Sequence, residues 1–314
     1  MSISIATRLK PFSHIPGAKC LIPGTHFAVQ AFPTLIRIGE WDIPWPIQGA
    51  MRPFTLQQDL ENNAVWILRG MSRTCITASV EGFTVSMDRE KRLFPAHIAF
   101  HLPQVWEKIS FGSHAEQDWE LILRRAHLQT ILPILYGLGQ KIPPLPAQSL
   151  TGTARLLENL TDKKQWEAFC LAAFHSLLVP RLKDDQYQGF CPDEEVQGHP
   201  CYLIQEAYRH LRASLLRQEG DRLHFLPAPV FEAGRGIDFQ VEGIGLLNFE
   251  WAKGQLRRAI LRATQSREVR FDFSKEVRTF RWKTRSHDRG HIAKGSDPLL
   301  IEEGKTYWLD HFYT

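Results

Sequence analysis

The chain has 314 residues, 43% of them hydrophobic, and a net charge of +4. That is enough apolar material for a packed core and too much for a disordered chain. No apolar run approaches the ~20 residues of a membrane-spanning helix. Residues 1–12 lack a basic start followed by an apolar stretch, so no secretory leader is expected and a cytoplasmic location is the default.

Five cysteines, at 20, 75, 170, 191 and 201, are widely spaced, odd in number and without a C-x-x-C pair. This argues against a disulfide framework and a zinc knuckle. Charge is unevenly placed. Between Lys253 and Lys294 there are 13 Lys or Arg against 4 Asp or Glu, a local +9 that leaves the rest of the chain at −5. Such a segment can meet phosphates or other anions; the plain alternative is strand positions that face water and happen to be Arg.

Residues 1–112 read as an N-terminal antiparallel β-sandwich. Phe27, Val29 and Ala31 alternate, Leu35 to Ile38 is extended, and Val65 to Leu68 is a short buried-strand pattern. Cys75–Val80, a turn at Glu81-Gly82, and Phe83–Met87 read as a hairpin. Prolines 33, 44, 46 and 53 are poorly suited to central strands. The pattern changes at Ser113. Ser113-x-x-Glu116 is a capping-box spacing, and Trp119, Ile122, Leu123 and Ala126 follow at helical intervals. Helices are expected near Ile131–Leu138, after an N-cap at Thr161, and along Leu203–Leu215. Residues 183–201 form a polar, acidic, proline-bearing loop. The region 113–220 holds four or five helices.

Residues 221–314 read as a C-terminal β-domain. Leu246, Leu247, Phe249 and Trp251 alternate against Asn248 and Glu250 as in a half-buried strand. Ala252-Lys253-Gly254 is a turn signal, and Leu256 to Leu261 returns as the second arm of a hairpin with a three-residue loop. Val269–Phe273 and Val277–Trp282 are strands, and Leu299–Glu302 pairs with Thr306–Phe312 as a closing hairpin. The fold class expected is α+β: sandwich, reduced helical middle, C-terminal β-domain.

Within Ile204–Ala263, the turn Leu226-Pro227-Ala228-Pro229 and the strand-turn Phe249-Glu250-Trp251-Ala252-Lys253-Gly254-Gln255-Leu256 resemble the C-terminal region of glycoside hydrolase family 95, the α-L-fucosidase-like glycosidases. The resemblance implies a β-sandwich ahead of a six-hairpin helical barrel that carries catalytic carboxylates. At ~11–12 residues per helix plus connections, about 100 residues cannot hold twelve barrel helices, so an incomplete barrel or a helical layer is expected. Trp251 matches the family's strand tryptophan and is expected in the core.

Asp184, Asp185, Glu194 and Glu195 are the candidate catalytic carboxylates, because glycoside hydrolysis needs a pair at fixed separation. None matches a catalytic position of the family, and the plain alternative is a solvated acidic loop. Trp41 and Trp45, locked beside prolines in WDIPWP, are candidates for stacking on sugar faces, against the alternative that they pin this segment to the sandwich. His287 and His291 have i, i+4 spacing, but Gly290 argues for a loop, and no metal site is assigned. No G-x-x-x-x-G-K-[ST], G-x-G-x-x-G or G-x-S-x-G occurs, and no cofactor is implied. Two functions are therefore expected. One is an oligosaccharide-binding protein reduced from a glycosidase and weakly or not catalytic. The other is a non-enzymatic interaction protein with a basic face, residues 253–294, for an anionic partner.

Overall fold

The computed structural model describes residues 2–45, 53–87, 90–185, 196–273, 277–285 and 287–313. It is β-rich, with several antiparallel sheets and few helices. Among the described residues no helix is long and apolar enough to cross a membrane. The chain forms two compact units, each built from separated stretches: residues 8–104 with 115–208, and residues 1–7 with 105–114 and 209–314. They are thus interleaved along the chain, whereas the sequence reads as three consecutive regions.

The unit of residues 8–104 and 115–208 contains a β-sandwich. One sheet has six antiparallel strands, in the order Phe12–Ser13, Phe54–Asp59, Ala64–Arg69, Ser72–Ser79, Gly82–Met87, Glu90–Pro95. The other is the meander Lys19–Leu21, Ala28–Ala31, Leu35–Ile38, Trp41–Pro44. Period-2 alternation sends Leu56, Val65, Ile67, Ile76 and Val85 from the first sheet, and Val29, Ile36 and Ile38 from the second, into the core. Phe83 joins the sheets, its ring meeting Phe27 at 5.2 Å and Trp41 at 5.7 Å between centroids. Pro44 is tolerated because its strand lies at a sheet edge.

Between residues 113 and 220 the described residues form four α-helices and one 3-10 stretch, Gly152–Asn159. The first helix begins at Trp119. Its cap is Asp118, whose carboxylate accepts from the Leu121 amide at 3.2 Å. The spacing at Ser113 therefore does not open a helix; a carboxylate one residue before the apolar pattern does. The cap expected at Thr161 falls on Asp162, which completes a capping box with Gln165. Leu128–Gly139 is buried on nearly every side, as its apolar run demands. The division between units falls within Tyr202–Leu215.

The unit of residues 1–7, 105–114 and 209–314 is a second β-sandwich. Its larger sheet has seven strands in the order Lys108–Ser110, Gly234–Val241, Gly245–Ala252, Gln255–Ala263, Thr306–Tyr313, Thr279–Lys283, His291–Lys294. Its smaller sheet runs Leu216–Glu219, Arg222–Phe225, Arg267–Phe273, Leu299–Ile301. Phe225 and Phe271 of the smaller sheet meet Phe249 and Phe280 of the larger at 5.8 Å each, forming an aromatic core. Glu107 is a buried anchor. It takes the Arg212 guanidinium on both oxygens, the shorter contacts at 3.0 Å, and accepts the Gln240 amide at 2.8 Å.

Two expected hairpins change. The loop joining Gly245–Ala252 to Gln255–Ala263 has two residues, not three, because Ala252 pairs with Gln255. Lys253 and Gly254 both take positive φ, 54° and 68°, which is the type I′ geometry that follows strand twist. The closing hairpin does not form. Leu299–Ile301 pairs with Arg267–Val269, and the strand after the turn, Thr306–Tyr313, pairs with Gln255–Ala263 in the other sheet. The turn at 303–305 thus carries the chain between layers, so that Leu299 and Ile301 on one side and Tyr307 and Leu309 on the other are all buried.

Candidate functional site

The sequence candidates fall apart in chemistry. Asp184 is 1% exposed and bound to Arg181 at 3.0 Å. Arg181 also donates to the carbonyls of Ala172 at 2.9 Å and Leu171 at 3.1 Å, so the pair ties down the end of the helix Lys163–Ala173. Asp185 is exposed. Glu194 and Glu195 lie outside the described residues. Trp45 is 6% exposed, with the Arg69 guanidinium over its ring, and Arg69 also donates to the Pro33 carbonyl. Trp41 is half-buried, with Phe83 meeting it nearly edge-on. His287 and His291 are both exposed, His291 stacked on Trp282 at 4.6 Å. Among the described residues no group of three or more His, Cys, Asp or Glu is placed to hold a metal ion.

A cleft of about 400 Å³ opens in the second sandwich. Its walls come from residues 5–7, Ser110–Gly112 with His114, Ala233–Arg235, and Glu250–Ala252 with Arg257. Phe111 and Trp251 form the apolar side. Their centroids lie 6.1 Å apart, and Phe111 also contacts Phe231 at 4.6 Å. Trp251 is 2% exposed, and its indole nitrogen donates to the Phe231 carbonyl at 2.9 Å. Its ring is fixed by packing on one side and a hydrogen bond on the other. Gly234 faces Trp251 across the sheet; a Cβ there would come within 2.5 Å of the ring, so only glycine lets the two strands close.

Arg235 and Glu250 give the cleft a polar side and begin a row, set by the sheet register, that continues beyond it. Arg235, Glu250, Arg258, Asp310 and Arg281 stand opposite one another on five neighbouring strands. Signs alternate along the row. Glu250 takes Arg258 at 2.6 Å and lies 3.6 Å from Arg235, while Asp310 takes Arg281 at 2.7 Å. Burial tends to raise the Asp310 pKa, but the hydrogen bonds from Arg281 and His311 and the charges of both outweigh it and hold the carboxyl below its usual value. The hydrogen bond and charge of Glu250 and the charge of Asp310 outweigh desolvation and raise the Arg258 pKa. Arg262 pairs with Asp238 at 3.0 Å and Arg270 with Glu268 at 3.4 Å. Four arginines of the basic segment, Arg258, Arg262, Arg270 and Arg281, are thus paired with carboxylates.

Arg257 stands apart from this row. The register slips between Glu250↔Arg258 and Trp251↔Leu256, so Arg257 is the extra residue of a β-bulge. A bulge turns its added side chain away from strict alternation. Here two successive arginines leave the core side, and the exposed one joins the cleft wall. Among the described residues Arg257 makes no ion pair. The joining of residues 5–7, 110–114, 233–235 and 250–257 is not signalled by composition or period. The trace available in the sequence was Arg257-Arg258 interrupting alternation inside an otherwise regular strand. Comparison of the sequence with family models and with curated proteins finds no match.

Proposed function

We propose that the chain is a carbohydrate-binding protein, reduced from a fucosidase-like glycosidase scaffold, that binds its ligand without efficient hydrolysis. The observation that carries the reading is the cleft of the second sandwich. It combines a fixed apolar wall, Phe111 and Trp251, with Arg235, Arg257, Glu250 and His114. Its volume lies within the range of small-ligand sites, and a lining that is apolar on one side and hydrogen-bonding on the other suits a saccharide. Among the described residues Glu250 is the one carboxylate lining it, and that carboxylate is engaged by Arg258. Glycoside hydrolysis needs two, one of them able to give up a proton. Binding that is equal in ground and transition state gives affinity and no rate.

The test is an oligosaccharide panel read by direct binding, run beside aryl α-fucosides, α-galactosides and related glycosides read for release of the aryl group. Binding without turnover is expected. Turnover near ~1 s⁻¹, lost on replacing Asp184, Asp185, Glu194 or Glu195, overturns the non-catalytic reading. Absence of any saccharide binding overturns the carbohydrate reading and leaves an interaction protein with a basic face.

A further inference from the structure

The charge balance of the cleft points to the class of sugar, and we infer that it selects an acidic saccharide, one whose pyranose carries a carboxylate or sulfate. This rests on the carbohydrate reading above and narrows it. Among the described residues two arginines, Arg235 and Arg257, share the wall with one carboxylate, Glu250. That carboxylate is held most closely by a third arginine outside the cleft lining, Arg258, at 2.6 Å. Its other oxygen lies 3.6 Å from the Arg235 Nε, beyond hydrogen-bond length. Arg235 spends one further donor on the Ser4 carbonyl at 3.1 Å. A guanidinium has five N–H donors, so among the described residues Arg235 keeps donors in hand and Arg257 keeps all of its own.

Placement strengthens the point. The strand carries a bulge at Arg257, an irregularity that leaves this residue out of the ladder, without a cross-strand partner. In a strictly alternating strand the position after Leu256 would face outward and its successor inward; the extra residue gives two outward arginines in succession. A guanidinium fork matches a carboxylate or sulfate in two parallel hydrogen bonds. A neutral hydroxymethyl group offers no such match. The apolar wall then serves the ring, and Arg257 with Arg235 serves the acid group.

The experiment is calorimetric titration with a matched pair, an α-linked galacturonate trisaccharide and the corresponding galactose trisaccharide, which differ only in the carboxylate that replaces the hydroxymethyl group of each residue. A 6-sulfated galactose oligomer and inorganic sulfate complete the set. The acidic trisaccharide is expected to bind about tenfold or more tightly than the neutral one, the gain of one charged hydrogen-bonding contact. Arg257→Gln should remove that preference, costing the acidic trisaccharide a larger factor in affinity than the neutral one, with the melting temperature unchanged. Arg257→Lys should keep part of it. Preference for the sulfated oligomer in place of the uronate also supports the inference and identifies sulfate as the acid group. Equal affinity for acidic and neutral trisaccharides overturns the inference and leaves sugar binding standing. No binding of any saccharide overturns the reading beneath it. Inorganic sulfate as strong as the acidic sugars overturns the inference in favour of a bare anion site. A preference that survives Arg257→Gln overturns the role given to that residue.

Discussion

Trp251 was the most legible residue of the site, because a large ring at the inward phase of an alternating strand has few places to go except the core. The structure holds it between Phe249 and Phe111, with centroids at 5.8 and 6.1 Å. Trp251→Ala should cost about 3–5 kcal/mol in chemical denaturation, the usual range for emptying a large aromatic site; a neutral result would mean that the ring is not part of the core. Trp45 was illegible for the converse reason. Prolines on either side fix the backbone but say nothing of what covers the ring, and the covering group, Arg69, is 24 residues away in sequence. The thiols give a second residue-scale prediction. Burial raises the pKa of Cys20, Cys170 and Cys201, the last two to about 12. Since the thiolate is the reacting species, mass-resolved maleimide labelling of the native protein should leave all three unmodified and label them only after denaturant is added. Rapid native labelling of any of them would contradict its placement in the core.

At the scale of elements, the hairpin Gly245–Ala263 was visible from period and turn chemistry, yet its loop was misjudged by one residue. The cause is Lys253 in the left-handed region, a conformation a lysine seldom adopts and does not advertise. The charged row across the sheet was illegible for a deeper reason: it depends on which strands are neighbours, and Asp310 comes from the chain's last strand. The row makes its members interdependent. Glu250 and Asp310 both act on Arg258 from opposite sides, so Glu250→Gln and Asp310→Asn should be non-additive by about 0.5 kcal/mol or more in a double-mutant cycle. Additivity would show that the row is a set of separate pairs. Asp310 also sets a pH dependence. Its folded pKa is lowered, so the unfolded state takes up the proton first as pH falls. The contribution is complete above the unfolded value of about 3.9 and is lost as pH drops from there through the folded pKa. Urea denaturation at pH 5 and pH 3 should therefore show a smaller acid loss for Asp310→Asn than for the parent chain. An equal loss would place the acid sensitivity elsewhere, with Asp59, whose pKa is also lowered, as the next residue to replace.

For the whole molecule, the uneven charge was plain in the sequence, but its meaning turns on pairing that only the folded sheets supply. A local +9 over residues 253–294 could make many contacts with a polyanion. In the fold, Arg258, Arg262, Arg270 and Arg281 each have a carboxylate partner. Breaking these pairs to reach phosphates would exchange one ion pair for another with little gain. Arg235 and Arg257 are the two cations that line the cleft. Each phosphate neutralised on duplex DNA contributes about −0.9 to the slope of log affinity against log salt. If only those two engage, duplex DNA or a similar polyanion should bind weakly, with a slope no steeper than about −2. Fluorescence anisotropy of a labelled duplex across a salt series measures it directly. A slope of about −5 or steeper, corresponding to five or more phosphate contacts, would mean that further cations of the basic segment also engage the anionic partner. The basic segment would then be the working surface of the molecule, and the cleft would be incidental to it.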